Sequence, residues 1–191
     1  RPGGTGANVA IALASTGTAV HFVSYLGDDE LSHNLDEHLK SSDIATLYTP
    51  VIPGPVSHVA IPVDEQGERT IVVIADDKLD QVSLSGLPIK AHDIVAFVIW
   101  RNNFVKDLEI AQKAGAITVV GSAALTDAQV LRADYLIGSR DDFSGDYSVE
   151  QALTRFTYVV VTSGAEGATF YSEQGSIFQP AEIAEVVDTT G

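Results

Sequence analysis

At 191 residues and 45% hydrophobic content, the chain has enough apolar material for one α/β domain with its own core and a small appendage. A formal net charge of −15, from 11 Lys and Arg against 26 Asp and Glu, repels a nucleic-acid backbone and leaves no basic cluster for phosphates. The absence of Cys excludes a disulfide framework and a Cys-ligated zinc site. No apolar run has membrane-spanning length and no segment has the shape of a signal peptide, so the expectation is a cytoplasmic protein that meets neither membrane nor nucleic acid. The chain also has no Met, which for a natural sequence of this size implies a fragment or missing methionines.

In chain order, Gly3, Gly4 and Gly6 leave backbone N–H groups unshielded just before a small apolar helix over residues 7–16. Gly17 closes that helix, and a strand follows over residues 19–26. Gly27-Asp28-Asp29 turns the chain into a second helix with Leu31, Leu35 and Leu39 on one face. Residues 56–64 and 68–75 are β-rich runs joined by Glu65-Gln66-Gly67, a predicted hairpin, and Pro55 and Pro62 place it at an edge.

From Asp93 onward strands and helices alternate: strand 94–100, helix 105–114, strand 117–120, a short helix near 127–131 and strand 135–137. Helix 149–155, strand 158–162 and an antiparallel pair at 168–172 and 176–179 complete the pattern. Such alternation implies an α/β fold with a doubly wound, mostly parallel sheet, whose ligands bind at the carboxyl ends of the strands.

Three segments leave strands in that position. Thr162-Ser163-Gly164-Ala165-Glu166-Gly167 has the form T-x-G-x-x-G, Ser139-Arg140-Asp141-Asp142 offers a carboxylate at i, i+3, and Asp188-Thr189-Thr190-Gly191 ends the chain. A plain glycine turn explains the first and a helix N-cap explains the second equally well from the letters alone. The five histidines lack metal-ligand spacing, and neither a G-x-S-x-G elbow nor a G-x-x-x-x-G-K-[ST] loop is present.

Gly3, Gly4, Gly6, Asn8, Ala10, Gly17 and Gly27 stand in the order and spacing of the first signature of the ribokinase (phosphofructokinase-B type) family of carbohydrate kinases, which the chain closely resembles. The resemblance implies one incomplete ribokinase-like domain over residues 1–191, with residues 56–75 giving a β-hairpin to a small β lid through which many members form homodimers. It implies an ATP-dependent, magnesium-requiring sugar kinase that phosphorylates a primary hydroxyl of a small carbohydrate. On the sugar side it points to Gly4, Thr5 and Asn8. On the nucleotide side it points to Ser139, Thr162, Gly164, Gly167 and Gly191.

Asp142 is the resemblance's candidate for organising Mg2+, and Asp188 with the Thr190 carbonyl its candidate for a monovalent cation such as K+, helix capping by Asp188 being the alternative. The family's general base corresponds to an Asp beyond Gly191, so no catalytic residue is assigned. Departures from the family pattern are Ser139 for Asn, Asp142 for Glu and Thr5 where ribokinases proper carry Lys. Arg101 lies near a substrate-facing Glu of ribokinases and would pair with a carboxylate-bearing sugar; a solvent-facing loop Arg is the alternative. Two other readings stand beside the kinase: a non-catalytic sugar- or nucleotide-binding relative, and a dinucleotide-dependent oxidoreductase, the latter weakened because no G-x-G-x-x-G follows a first strand.

Overall fold

A computed structural model describes residues 2–62, 70–75, 77–130 and 132–182. The chain divides into two compact units, residues 1–83 and 84–191.

In the first unit, helix α1 spans Thr5–Ser15, two residues earlier than the apolar pattern suggests. Gly4 explains the early start: its φ of 93° and ψ of 149° turn the chain sharply, and its carbonyl accepts the Asn8 N–H at 3.0 Å. Gly17, at φ 82°, ends the helix by donating to the Ala14 carbonyl. Strand β1 is only Val20–His21, paired in parallel with β2, Ile44–Ala45. The predicted strand 19–26 is interrupted where the Thr49 hydroxyl, not a backbone N–H, takes the Phe22 carbonyl, and pairing resumes as a bridge between Leu26 and Val51.

Helix α2, Glu30–Ser41, is capped by Asp29, whose carboxylate accepts the Ser32 N–H and hydroxyl. Of its leucine stripe, Leu39 is fully buried with Ala7, Ala10 and Ile44, Leu35 is packed at the edge of that cluster, and Leu31 faces solvent. The stripe therefore turns away from the core within its first turn. Strands β3, His58–Ala60, and β4, Val72–Ala75, form the expected antiparallel pair. Their connection Glu65-Gln66-Gly67 lies outside the described residues, as do Asp188, Thr190 and Gly191.

The second unit is a six-stranded sheet in the order β10-β9-β8-β7-β6-β5. Strands β5 (Ile94–Phe97), β6 (Ile117–Gly121), β7 (Ala133–Ser139) and β8 (Phe156–Thr162) are parallel. Strands β9 (Gly167–Ser172) and β10 (Gly175–Pro180) add an antiparallel edge, so the sheet is mostly parallel and the fold is α/β. Helices α3 (Val105–Lys113) and α4 (Val149–Leu153) lie in two of the crossovers. Ser148 and Gln151 cap α4 reciprocally. The core holds Val120, Leu136, Phe156 and Val159, all within 1% of complete burial.

The short helix expected near 127–131 is absent from the described part of that segment, and a 3-10 turn over Ser122–Thr126 takes its place. Asp127 is diverted: its carboxylate accepts the Trp100 indole N–H at 3.1 Å and the Gln129 N–H at 2.9 Å. Arg155 then collects the carbonyls of Ala124, Leu125, Asp127 and Val130, which a continuing helix would have used internally.

Candidate functional site

The sugar-side candidates belong to the first unit. Gly4 is the N-cap of an 11-residue helix that has no side-chain cap, so the first-turn N–H groups of α1 keep their donors for water or a ligand. Among the described residues, a Cβ at Gly3 or Gly4 would meet no atom within 4 Å. Thr5 is exposed and Asn8 half-buried at i, i+3, on one face of the helix. Gly6 has a different role: a methyl there would press on the Phe22 ring at 3.3 Å, so its small size serves packing.

The nucleotide-side candidates belong to the second unit and come together at the carboxyl ends of neighbouring strands. Ser139, the last residue of β7, is the register partner of Thr162, the last residue of β8. The Thr162 hydroxyl donates to the Gly138 carbonyl at 3.3 Å across that pair. After Thr162 the chain makes a 3-10 turn over Gly164–Glu166, with Gly164 at φ 55° and Gly167 at φ 125°. Any Cβ at Gly167 would fall 2.1 Å from the Gln179 carbonyl oxygen, so the T-x-G-x-x-G loop needs glycine there on two independent grounds.

After Ser139 the chain enters a 3-10 turn, Arg140–Phe143, closed by a reciprocal capping box between Ser139 and Asp142. The Asp142 carboxylate accepts the Ser139 backbone N–H at 2.6 Å and the Ser139 hydroxyl at 2.8 Å. The Ser139 N–H, above all, holds Asp142 below the usual carboxylate range; burial works against that, and the hydroxyls of Ser139 and Ser122 add to it. The capping and metal-side accounts of this motif are therefore compatible: the box orients an ionised carboxylate at the strand ends. Gly138 makes room for it, since a Cβ there would lie 2.9 Å from the Phe143 ring and 3.0 Å from Ser122.

Two residues inside these motifs were not singled out by sequence reasoning. The Arg140 guanidinium forks onto both carboxylate oxygens of Glu166, joining the two loops. Pairing with Glu166 raises the Arg140 pKa, and pairing with Arg140 lowers that of Glu166. Ser122, directly after β6, reaches Asp142. Nothing in the letters pairs residues 140 and 166; the register of β7 and β8 does.

Arg101 lies beyond the end of β5, separated from β7 in the sheet by β6, and is exposed, with its guanidinium donating to the Trp100 carbonyl at 3.1 Å. Its loop is anchored by Trp100, which stacks edge-on against Phe97 and Phe104 and donates to Asp127. Among the described residues no group of three His, Cys, Asp or Glu side chains is placed to hold a metal ion. Among the described residues no helix is long and apolar enough to cross a membrane.

Comparison with known proteins bears on the family and the fold. The family model described as pfkB family carbohydrate kinase matches residues 1–191. The chain is 24% identical over 223 residues to a fructokinase of Vibrio alginolyticus, covering 100% of this chain and 72% of that protein. It is 25% identical over 205 residues to a ribokinase of Bacillus subtilis (strain 168), covering 100% of this chain and 69% of that one. The crystal structure of fructokinase from Vibrio cholerae O395 in its fructose, ADP and calcium ion bound form superposes with a TM-score of 0.79 at 21% identity, over 99% of this chain and 71% of that one. That likeness shows the fold.

Proposed function

The chain belongs to the pfkB family of carbohydrate kinases, and on that premise we propose that it transfers the γ-phosphate of ATP to a primary hydroxyl of a small carbohydrate of ribose, fructose or sugar-acid type. The observation that carries this is the meeting of the S-x-x-D and T-x-G-x-x-G loops at the register pair Ser139 and Thr162. Phosphoryl transfer needs alignment and charge stabilisation more than covalent chemistry, and backbone donors in glycine loops supply both without a lysine patch.

In this proposal Ser139, Thr162, Gly164 and Gly167 shape the nucleotide side. Asp142 meets a Mg2+ carried in by the phosphates, its ionised and oriented carboxylate fitting a hard cation. Gly4, Thr5 and Asn8 bind sugar hydroxyls at the uncapped start of α1. Arg101 favours a sugar with a carboxylate, to which a guanidinium gives two parallel hydrogen bonds. Asp188 and Gly191 keep the cation-facing and nucleotide-facing roles that the family resemblance implies, with K+ as the candidate ion.

Residues 56–75 act as the lid and as the contact between two copies. The support is a ribbon whose Ile71, Val72, Val73 and Ile74 are exposed on both faces, more apolar surface than a two-stranded sheet sustains in water. The second reading, a non-catalytic sugar- or nucleotide-binding relative, rests on the departures of this motif from the family pattern, Ser139 for Asn and Asp142 for Glu.

The test is ATP consumption by the full-length protein with Mg2+ over ribose, fructose, ketodeoxygluconate and nucleosides, with and without K+. Turnover on one of them establishes the kinase and its substrate, and preference for the sugar acid assigns Arg101. Nucleotide binding without turnover on any member of the panel favours the second reading.

A further inference from the structure

Arg140 and Glu166 are each more than half exposed, at 59% and 64% of their side-chain surface, and an ion pair in that position contributes little to stability. Yet the pair is forked, which is the geometry that fixes relative position most strictly. It also joins two short turns that are otherwise shaped separately, one by the Ser139–Asp142 box and one by Gly164 and Gly167. We propose that the Arg140–Glu166 pair is a latch that sets the spacing between the two loops, making both residues positioning residues for the nucleotide phosphates. The inference rests on the kinase reading.

Three features support the latch. Glu166 has no freedom to be placed elsewhere, because its N–H donates to the Ser163 carbonyl, its own carbonyl accepts the Ala181 N–H, and Gly167 beside it is confined to positive φ. Arg140 opens its turn directly after the last residue of β7, so its Cα is placed by the sheet. Neutralisation by Glu166 further prevents Arg140 from acting as a bare cation; its remaining N–H groups stay oriented as donors. Lys would not reproduce this, since an ammonium lacks the planar fork that gives two parallel bonds.

The experiment is fluorescence titration of the full-length protein with a fluorescent ATP analogue and Mg2+, which reads nucleotide binding without turnover. Arg140→Ala and Glu166→Ala are each expected to weaken binding about tenfold, the scale of a loop displaced by a fraction of an ångström. Arg140→Lys and Glu166→Gln are expected to lose part of that, which keeps the test open should an alanine variant unfold. The exchanged pair Arg140→Glu with Glu166→Arg is expected to return to within about threefold of the native protein, with the thermal midpoint moving little in any variant. In steady state the KM for ATP follows the binding change and the KM for sugar stays constant. Loss in Arg140→Ala alone, or no recovery in the exchanged pair, overturns the latch and makes Arg140 a direct phosphate ligand. Native nucleotide binding with all variants unchanged overturns the latch alone, and absence of binding by the native protein overturns the kinase reading beneath it.

Discussion

A single carboxylate oxygen of Asp142, Oδ2, accepts both the backbone N–H and the hydroxyl of Ser139, at 2.6 and 2.8 Å. These bonds form only to the ionised carboxylate at full strength, which is why the Asp142 pKa lies below its ordinary value. A carboxyl whose folded pKa is depressed stabilises the fold above its unfolded pKa, and that contribution is lost as the pH falls through the folded value. Asp142→Ala is therefore expected to cost about 0.5–1 kcal/mol at pH 7, the lower range for a cap because the site is exposed. The difference from the native protein should begin to shrink as the pH falls below about 4, the ordinary carboxylate range, and vanish only below the depressed folded value. Urea titrations of both proteins at several pH values measure it, and a difference that stays constant from neutral pH down through the acid range would show that the capping charge is not its source.

Gly164 and Gly167 share a loop but should respond unequally to Ala. Gly164 has φ 55° with open space around it, so Ala there should cost about 1–2 kcal/mol of backbone strain. At Gly167 the new methyl meets the Gln179 carbonyl, and the loss should exceed about 3 kcal/mol as the β9–β10 edge is pushed away. Chemical denaturation of the two variants compares them; equal losses would contradict the close approach at Gly167.

Substitutions on the two sides of the proposed reaction should separate in kinetics. Asn8→Ala is expected to raise the KM for sugar about tenfold with the KM for ATP unchanged, and Thr162→Val the reverse. Parallel shifts of both constants in either variant would mean that the assignment of sides is wrong.

Trp100 is the sequence's one tryptophan and is 5% exposed, so its emission reports on the Arg101 loop. Asp127→Ala strands the buried indole N–H and should cost about 1–3 kcal/mol, with a change in tryptophan emission in the still-folded protein. An unchanged spectrum and stability would contradict the Trp100–Asp127 bond.

Ile74 is 61% exposed on β4. If two copies meet through the β3–β4 ribbon, Ile74→Lys should convert a dimer to a monomer in light scattering while leaving the circular dichroism spectrum unchanged. A native protein that is monomeric at micromolar concentration, or a dimer indifferent to the lysine, removes the lid as the interface.

Much of this protein is written in its letters. Gly4 and Gly17 announce a helix that begins and ends abruptly, because only glycine takes positive φ without strain. Alternation of apolar runs over residues 94–162 dictates a parallel sheet, since each buried strand needs a crossover to return in the same direction. The order of the motifs carried the family. What the letters could not supply was anything set by partners distant in sequence. The helix expected near 127–131 gave way because Trp100 and Arg155 claim its carboxylate and carbonyls from 25 or more residues away. The strand at 19–26 broke because the Thr49 hydroxyl took the Phe22 carbonyl. Arg140 and Glu166 meet because β7 and β8 align in register, and register is decided by the packing of whole strands rather than by any local residue.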